Sequence, residues 1–324
     1  MPAPAPRRTP PAWIIWLALG TVYVVWSTTY LAIRITNETL PPLLAAGTRF
    51  VIAGSVLFAI THRRGDPSTD RVGRPQWLAA LAVGALLIAG GNGSVVLAEL
   101  TVPSGTVALI LALIPLWLAL WDRFARHRHL PRRVIAGLAL GFAGATLLVD
   151  DARLAGVPVS GLLLAVAASA SWAAGSLVAR GGRLPHRPFV GNAMVMMAGG
   201  AIAIAWGLLR GESALIDPSR FSTASILAFA YLVVFGSWIA FSAYLWLLRH
   251  ARTSLVATYA WVTPMLAVYL GHLIAEEPVR GRSLVAGAIV LAAVALTVSA
   301  GRPEREPSDA GEERRTQDEA EVPL

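Results

Sequence analysis

The run WIIWLALGTVYVVWSTTYLAIR, residues 13–34, decides the fold. From Trp13 to Ile33 it holds 21 residues without a charge, and at 1.5 Å per residue a helix of that length crosses a ~30 Å hydrocarbon layer. A signal peptide has a shorter apolar core and a small-residue cleavage site. The run therefore reads as a retained span behind a Pro-rich tail carrying Arg7 and Arg8.

Outward from it the pattern repeats. Apolar runs follow at Leu43–Thr61, Trp77–Ala98, Val102–Trp121 and Val134–Val149. After a loop with Asp150, Asp151, Arg153 and Pro158 come Gly161–Ala179, Phe189–Leu209, Ser225–Leu248, Ser254–Ile274 and Leu284–Ala300. Water does not solvate backbone groups in a bilayer core, so such runs must be helices unless they close a barrel, whose strands would alternate and be half as long. The expectation is an all-α membrane protein with ten transmembrane helices. Composition agrees: 56% of the 324 residues are apolar and 14% charged, against ~25% charged in soluble domains. The chain has no cysteine, which removes disulfides and thiolate chemistry.

The net charge of +8 comes from arginine, as the chain holds no lysine. In a soluble protein it would suggest nucleic acid; here its placement is an orientation signal. One set of alternate connections holds Arg7, Arg8, Arg63, Arg64, Arg71, Arg74, Arg123, Arg126, Arg128, Arg132, Arg133, Arg180, Arg183, Arg187, Arg249, Arg252, Arg302, Arg305, Arg314 and Arg315. The opposite set holds Arg153, Arg210, Arg220, Arg280 and Arg282. Cytoplasmic loops carry the positive excess, so both termini are expected in the cytoplasm, and no nucleic-acid partner is expected. Residues 1–12 read as a cytoplasmic tail. Residues 301–324, rich in Glu, Asp, Arg and Pro, read as a disordered cytoplasmic tail.

The two halves, residues 13–150 and 158–300, resemble each other. Trp26, Leu31 and Arg34 share their spacing with Trp172, Leu177 and Arg180. The stretch from Pro103-Ser104-Gly105 to Pro115 mirrors that from Arg252-Thr253-Ser254 to Pro264. With five crossings each, the second half enters from the opposite side, giving inverted repeats of the kind that suit alternating access.

Several words carry a family resemblance: Trp26-Ser27-Thr28-Thr29-Tyr30-Leu31-Ala32-Ile33-Arg34, Gly47-Thr48-Arg49-Phe50, Gly91-Asn92-Gly93, Val102-Pro103-Ser104-Gly105 and Tyr259-Ala260-Trp261-Val262-Thr263-Pro264. Over about residues 12 to 300 the chain resembles the EamA family of the drug/metabolite transporter superfamily, especially its YedA-type inner-membrane permeases. The resemblance implies a ten-helix, two-repeat fold in the inner membrane that moves metabolites, often amino-acid-like, usually outward. It also exposes a departure. The family commonly has Gly-Glu after the ninth helix, whereas Ala275-Glu276-Glu277 stands here, with Glu277 at the matching place.

Candidate site residues follow from polar and aromatic side chains inside apolar runs. Tyr23, Ser27, Tyr30 and Arg34 form one stripe of the first helix, with Trp26 beside it; Ser176 lies on the related face of the sixth. The stripe either lines a cavity or serves close helix packing. Arg49 lies inside the second run, where a central arginine costs roughly 2.5–3.5 kcal/mol. It either meets an anionic substrate group with its planar fork or snorkels to the headgroups. Asn92, amid glycines, either binds substrate or supports a distorted helix. Glu99 either partners Arg34 or Arg49 as an outer charge or is a solvated loop carboxylate. Tyr244, Tyr259 and Trp261 are candidates for an aromatic lining, and Pro115 and Pro264 for paired hinges.

No cofactor or metal is expected, since His272 and Glu276 share a helix face but two ligands make no metal site. Neither a His-Glu-x-x-His nor a Gly-x-Ser-x-Gly motif occurs, which argues against an enzyme. The expected function is a secondary transporter exporting small zwitterionic or anionic metabolites. Uptake by the same fold is the nearer alternative, and a channel or membrane scaffold the more distant one. The expected partners are a small-molecule substrate and the lipid bilayer.

Overall fold

The computed structural model describes residues 10–63, 72–126, 132–154, 156–181, 183–185, 187–251, 253–256, 258–276 and 281–300. The expectations for the tails, residues 1–12 and 301–324, fall almost wholly outside these. Among the described residues every regular element is a helix. The longer ones are α1 (Ala12–Asn37), α2 (Pro42–Arg63), α3 (Arg74–Ala98), α4 (Ser104–Leu111), α5 (Ile114–Arg126), α6 (Arg132–Leu154), α7 (Val159–Arg180), α8 (Pro188–Leu209) and α9 (Thr223–His250). A short α10 (Thr253–Val256), α11 (Tyr259–Ala275) and α12 (Gly281–Ala300) complete the set.

Seven of these stretches are long and apolar enough to cross a membrane: α1, α2, α3, the α4–α5 rod, α7, α8 and α9. The hydropathy reading has ten. Among the described residues α6 is not one of the seven, and α11 and α12 contain the shorter apolar helices Val262–Ile274 and Leu284–Ala293. Large apolar side chains such as Trp16, Val24, Leu81, Leu163, Leu208 and Leu227 face outward. A water-soluble surface does not tolerate so many; lipid does.

Three boundaries differ from the sequence reading. The residues Asp150, Asp151 and Arg153, expected in a loop, continue α6 to Leu154. Hydropathy marks where a helix leaves lipid, not where it stops, and charged residues remain helical in the next turn. Pro115, expected inside a kinked helix, sits at the second residue of α5, behind a break at Ala112–Leu113. Lacking an N–H, it is tolerated in a helix's first turn, and the bonds tighten there to Leu113 N donating to Ile110 O at 3.1 Å. Pro264, in contrast, lies inside α11.

Helices in lipid gain little from apolar burial against one another, so they associate by close approach of small residues. Gly47 of α2 and Gly200 of α8 meet backbone to backbone; a Cβ on either would come within 2.6–2.7 Å of the other's carbonyl oxygen. Gly84 of α3 and Gly199 of α8 make a second such pair, each Cβ falling 2.6 Å from a partner backbone atom. On the far side, Gly141 and Gly144 of α6 let α12 approach.

The neighbours come in matched pairs. α2 packs on α8 and α6 on α12, α3 packs on α7 as α9 packs on α1, and α11 packs on α1 as the α4–α5 rod packs on α7. Exchanging the first five runs for the second five leaves this pattern unchanged.

Between α8 and α9 the chain makes two single 3₁₀ turns. Glu212 on the first is only 5% exposed, and its Oε2 accepts from Leu43 N at 2.8 Å and Leu44 N at 3.0 Å. A carboxylate thus caps the N-terminus of α2, where the first amides are orphaned and the helix dipole favours negative charge. At the end of α11, Glu276 adopts φ 52°. This is the left-handed region that glycine enters at least cost.

Candidate functional site

The elements converge on a central cavity of about 60 Å³. Its described lining comes from α1 (Trp26, Thr29, Tyr30, Ile33), α2 (Arg49, Phe50), α3 (Asn92, Val95), the α4–α5 rod (Leu111, Ile114), α7 (Trp172), α9 (Gly236, Phe241) and α11 (Tyr259). Ligand pockets usually measure ~300–1,000 Å³. A space of this size holds a few waters.

Arg49 is its dominant feature. It sits two turns below the start of α2 and is 2% exposed, so its guanidinium does not reach the headgroups. Its Nη2 donates to Asn92 Oδ1 at 2.6 Å, and its Cζ lies 4.6 Å from the centre of the Phe50 ring. Its Nε and Nη1 are buried and make no hydrogen bond. A buried charge with unmade bonds is costly. Glu99, at the end of α3, is 6% exposed rather than solvated, and lies within electrostatic reach of Arg49 and Tyr30.

Asn92, which accepts from Arg49, lies in the middle of α3, where Ala85–Gly93 is wound as a π-helix. The glycines beside it also admit α7: a Cβ on Gly91 would come 2.8 Å from the Trp172 ring. The middle of α9, Leu232–Ala240, is a second π-helix, with Gly236 on the cavity wall. Wide turns of this kind leave the regular i→i−4 ladder and are frequent at functional sites.

The floor of the cavity is aromatic. Trp26 meets Trp172 edge to face at 5.3 Å, Tyr259 edge to face at 5.1 Å and Tyr244 at 4.9 Å. Phe241 joins Trp172 at 6.1 Å and Phe50 at 5.6 Å. Edge-to-face pairs at these separations contribute about 0.5–1.5 kcal/mol each beyond burial. The Tyr259 hydroxyl is buried and makes no hydrogen bond.

Of the sequence candidates, Trp26, Tyr30, Arg49, Asn92 and Tyr259 come together on one cavity. Four others lie outside its described lining and bond within the protein. The Tyr23 hydroxyl pairs with Thr258 Oγ1 at 2.5 Å, and Ser27 Oγ donates to Tyr23 O. Ser176 Oγ and Tyr244 Oη share a 2.7 Å bond, and Trp172 Nε1 donates to the same Tyr244 Oη at 3.2 Å. Arg34 is half-buried in the last turn of α1. The side chain of Trp261 falls outside the described residues. Pro115 lies buried beside the cavity residue Ile114. Trp172, Phe50 and Phe241 were not singled out as lining residues. Trp172 had a signal, its shared spacing with Trp26; the two phenylalanines had none.

The EamA-like transporter family matches this chain twice, over residues 12–150 and 159–299. The uncharacterized inner membrane transporter YedA of Escherichia coli K12 is 37% identical over 283 residues, covering 87% of this chain and 90% of YedA. A probable amino-acid metabolite efflux pump of Salmonella typhimurium is 26% identical over 300 residues, covering 86% and 92%. A solved crystal structure superposes with a TM-score of 0.61 at 25% identity, covering 90% of this chain and 98% of that one.

Proposed function

The chain belongs to the EamA-like transporter family, and from that premise we propose that it is an inner-membrane secondary transporter of small metabolites that works by alternating access. Ten spans, residues 13–150 and 158–300, form two inverted five-helix repeats around the cavity, with both termini in the cytoplasm. The matched helix pairings support this symmetry, as does the direct contact of Trp26 with its repeat counterpart Trp172. The inner-membrane location and the outward direction follow the resemblance to YedA and to the Salmonella efflux pump.

One observation carries the proposal: Arg49 keeps its Nε and Nη1 nitrogens buried and without hydrogen bonds at the wall of the central cavity. Its fork is suited to a carboxylate, so the substrate is anionic or zwitterionic, with Asn92 orienting the guanidinium and Trp26, Tyr30 and Tyr259 forming the wall. Tyr23, Ser27, Ser176 and Tyr244 support that wall. Arg34 and Glu99 set the charge at the outer mouth. The cavity opens to each side in turn as helices bend at the π segments of α3 and α9 and at Pro115 and Pro264.

Purified protein in proteoliposomes loaded with a metabolite panel is expected to show saturable counterflow for a subset of carboxylate-bearing compounds. Conductance without saturation would point to a channel, and the absence of flux for the whole panel would remove the transporter reading.

A further inference from the structure

Building on that reading, we infer that the site selects a monocarboxylate with a planar apolar body and discriminates against the same molecule bearing an ammonium group. The lining divides into two poles. At one, Arg49 keeps two buried nitrogens, Nε and Nη1, without hydrogen bonds, and the N–H groups of its planar guanidinium are donors that a carboxylate accepts. At the other, Trp26, Trp172, Phe241 and Tyr259 present ring surface.

No carboxylate stands in the described lining to receive an ammonium. Arg49 is its one charged residue, and Glu99 is not part of it. The Oδ1 of Asn92 already accepts from Arg49 Nη2 at 2.6 Å. Aromatic faces hold cations when they are open. Here they are engaged: Trp26 packs edge to face with both Trp172 and Tyr259, and the Phe50 face is covered by Arg49 itself. An ammonium brought in beside the carboxylate would lose its water, gain no carboxylate partner and stand near a fixed guanidinium. Dehydrating an unpaired ion is expensive, so the neutral-bodied acid wins. A planar body fits because the wall is ring surface, which rewards offset or edge contact.

The test compares three compounds of one shape on the full-length purified protein: 3-phenylpropionate, phenylalanine and 2-phenylethylamine, each titrated while apparent thermal stability is read. The expected result is that 3-phenylpropionate binds at least about tenfold more tightly than phenylalanine and that the amine does not bind. The Arg49→Gln variant is expected to lose the preference for 3-phenylpropionate while staying folded. Equal or tighter binding of phenylalanine, binding of the amine, or binding of none of the three would overturn the inference. Because it is read on the native protein, the comparison stands even where the variant fails to fold. Saturable counterflow of any other metabolite in the same preparation would leave the transporter reading intact when this inference fails.

Discussion

Replacing Arg49 with alanine is expected to raise the half-saturating substrate concentration by on the order of 30- to 1,000-fold, the equivalent of about 2–4 kcal/mol, while the protein inserts and folds normally. The direction of the stability effect separates a functional arginine from a structural one. Arg49 is 2% exposed, spends one N–H on Asn92 and leaves Nε and Nη1 unpaired. An incompletely paired buried charge destabilises its surroundings, so Arg49→Ala should leave thermal stability equal or higher. A residue whose removal stabilises the fold and disables the protein is held there for its task. Arg49→Lys should recover little, since a point charge on a flexible stem does not reproduce the fork. Unchanged saturation kinetics with lowered stability would assign Arg49 to packing instead.

Gly200→Val is expected to lower the yield of monodisperse protein severely and to cost about 3 kcal/mol or more of stability. The Cβ alone would lie 2.7 Å from Gly47 O and 2.9 Å from a Val51 methyl. The first obstacle is backbone on a neighbouring helix, so no rotamer change relieves it. The α2–α8 contact would have to separate, moving Arg49 one half-turn further along α2. Gly20→Ala is the control. A Cβ there meets nothing within 4 Å, and replacing a mid-helix glycine should stabilise by roughly 0.5–1 kcal/mol. Fluorescence-detected size exclusion before and after heating measures both. Retention of normal profiles by Gly200→Val would mean that these helices are not packed as described.

The sequence discloses a membrane protein of apolar helices because lipid imposes one requirement on each stretch, an uncharged run long enough to cross, and seven of the ten runs meet it among the described residues. The same requirement makes Arg49 conspicuous. It hides whatever depends on contact with distant helices. Asp150 and Asp151 end the apolar run but not α6. The π segments carry no local code, since Ala85–Gly93 is glycine-rich and Leu232–Ala240 is not; they are fixed by what packs against them. Glu212 looks like an ordinary loop carboxylate until the fold brings it to the amides of Leu43 and Leu44, about 170 positions away. Tyr23, Ser27, Tyr30 and Arg34 share a stripe, yet only Tyr30 is in the described cavity lining. Periodicity fixes which residues share a face, not how much of that face a neighbour covers. Trp172 was legible through symmetry alone, because a residue whose counterpart is a candidate inherits its claim.

The central claim is that one chamber opens to the two sides of the membrane in turn. The absence of cysteine from the natural chain makes single-cysteine labelling direct. Ala46 lies 5% exposed on the wall of a small second cavity adjoining Arg49 on the proposed outer side, and Ala179 lies 6% exposed near the proposed inner end of α7. In Ala46→Cys and Ala179→Cys proteins of known orientation, a membrane-impermeant maleimide should label each only from its own side. Adding a transported substrate should shift the two rates in opposite directions. Two cysteines that stay unreactive from both sides, or rates that substrate leaves unchanged, would contradict the account.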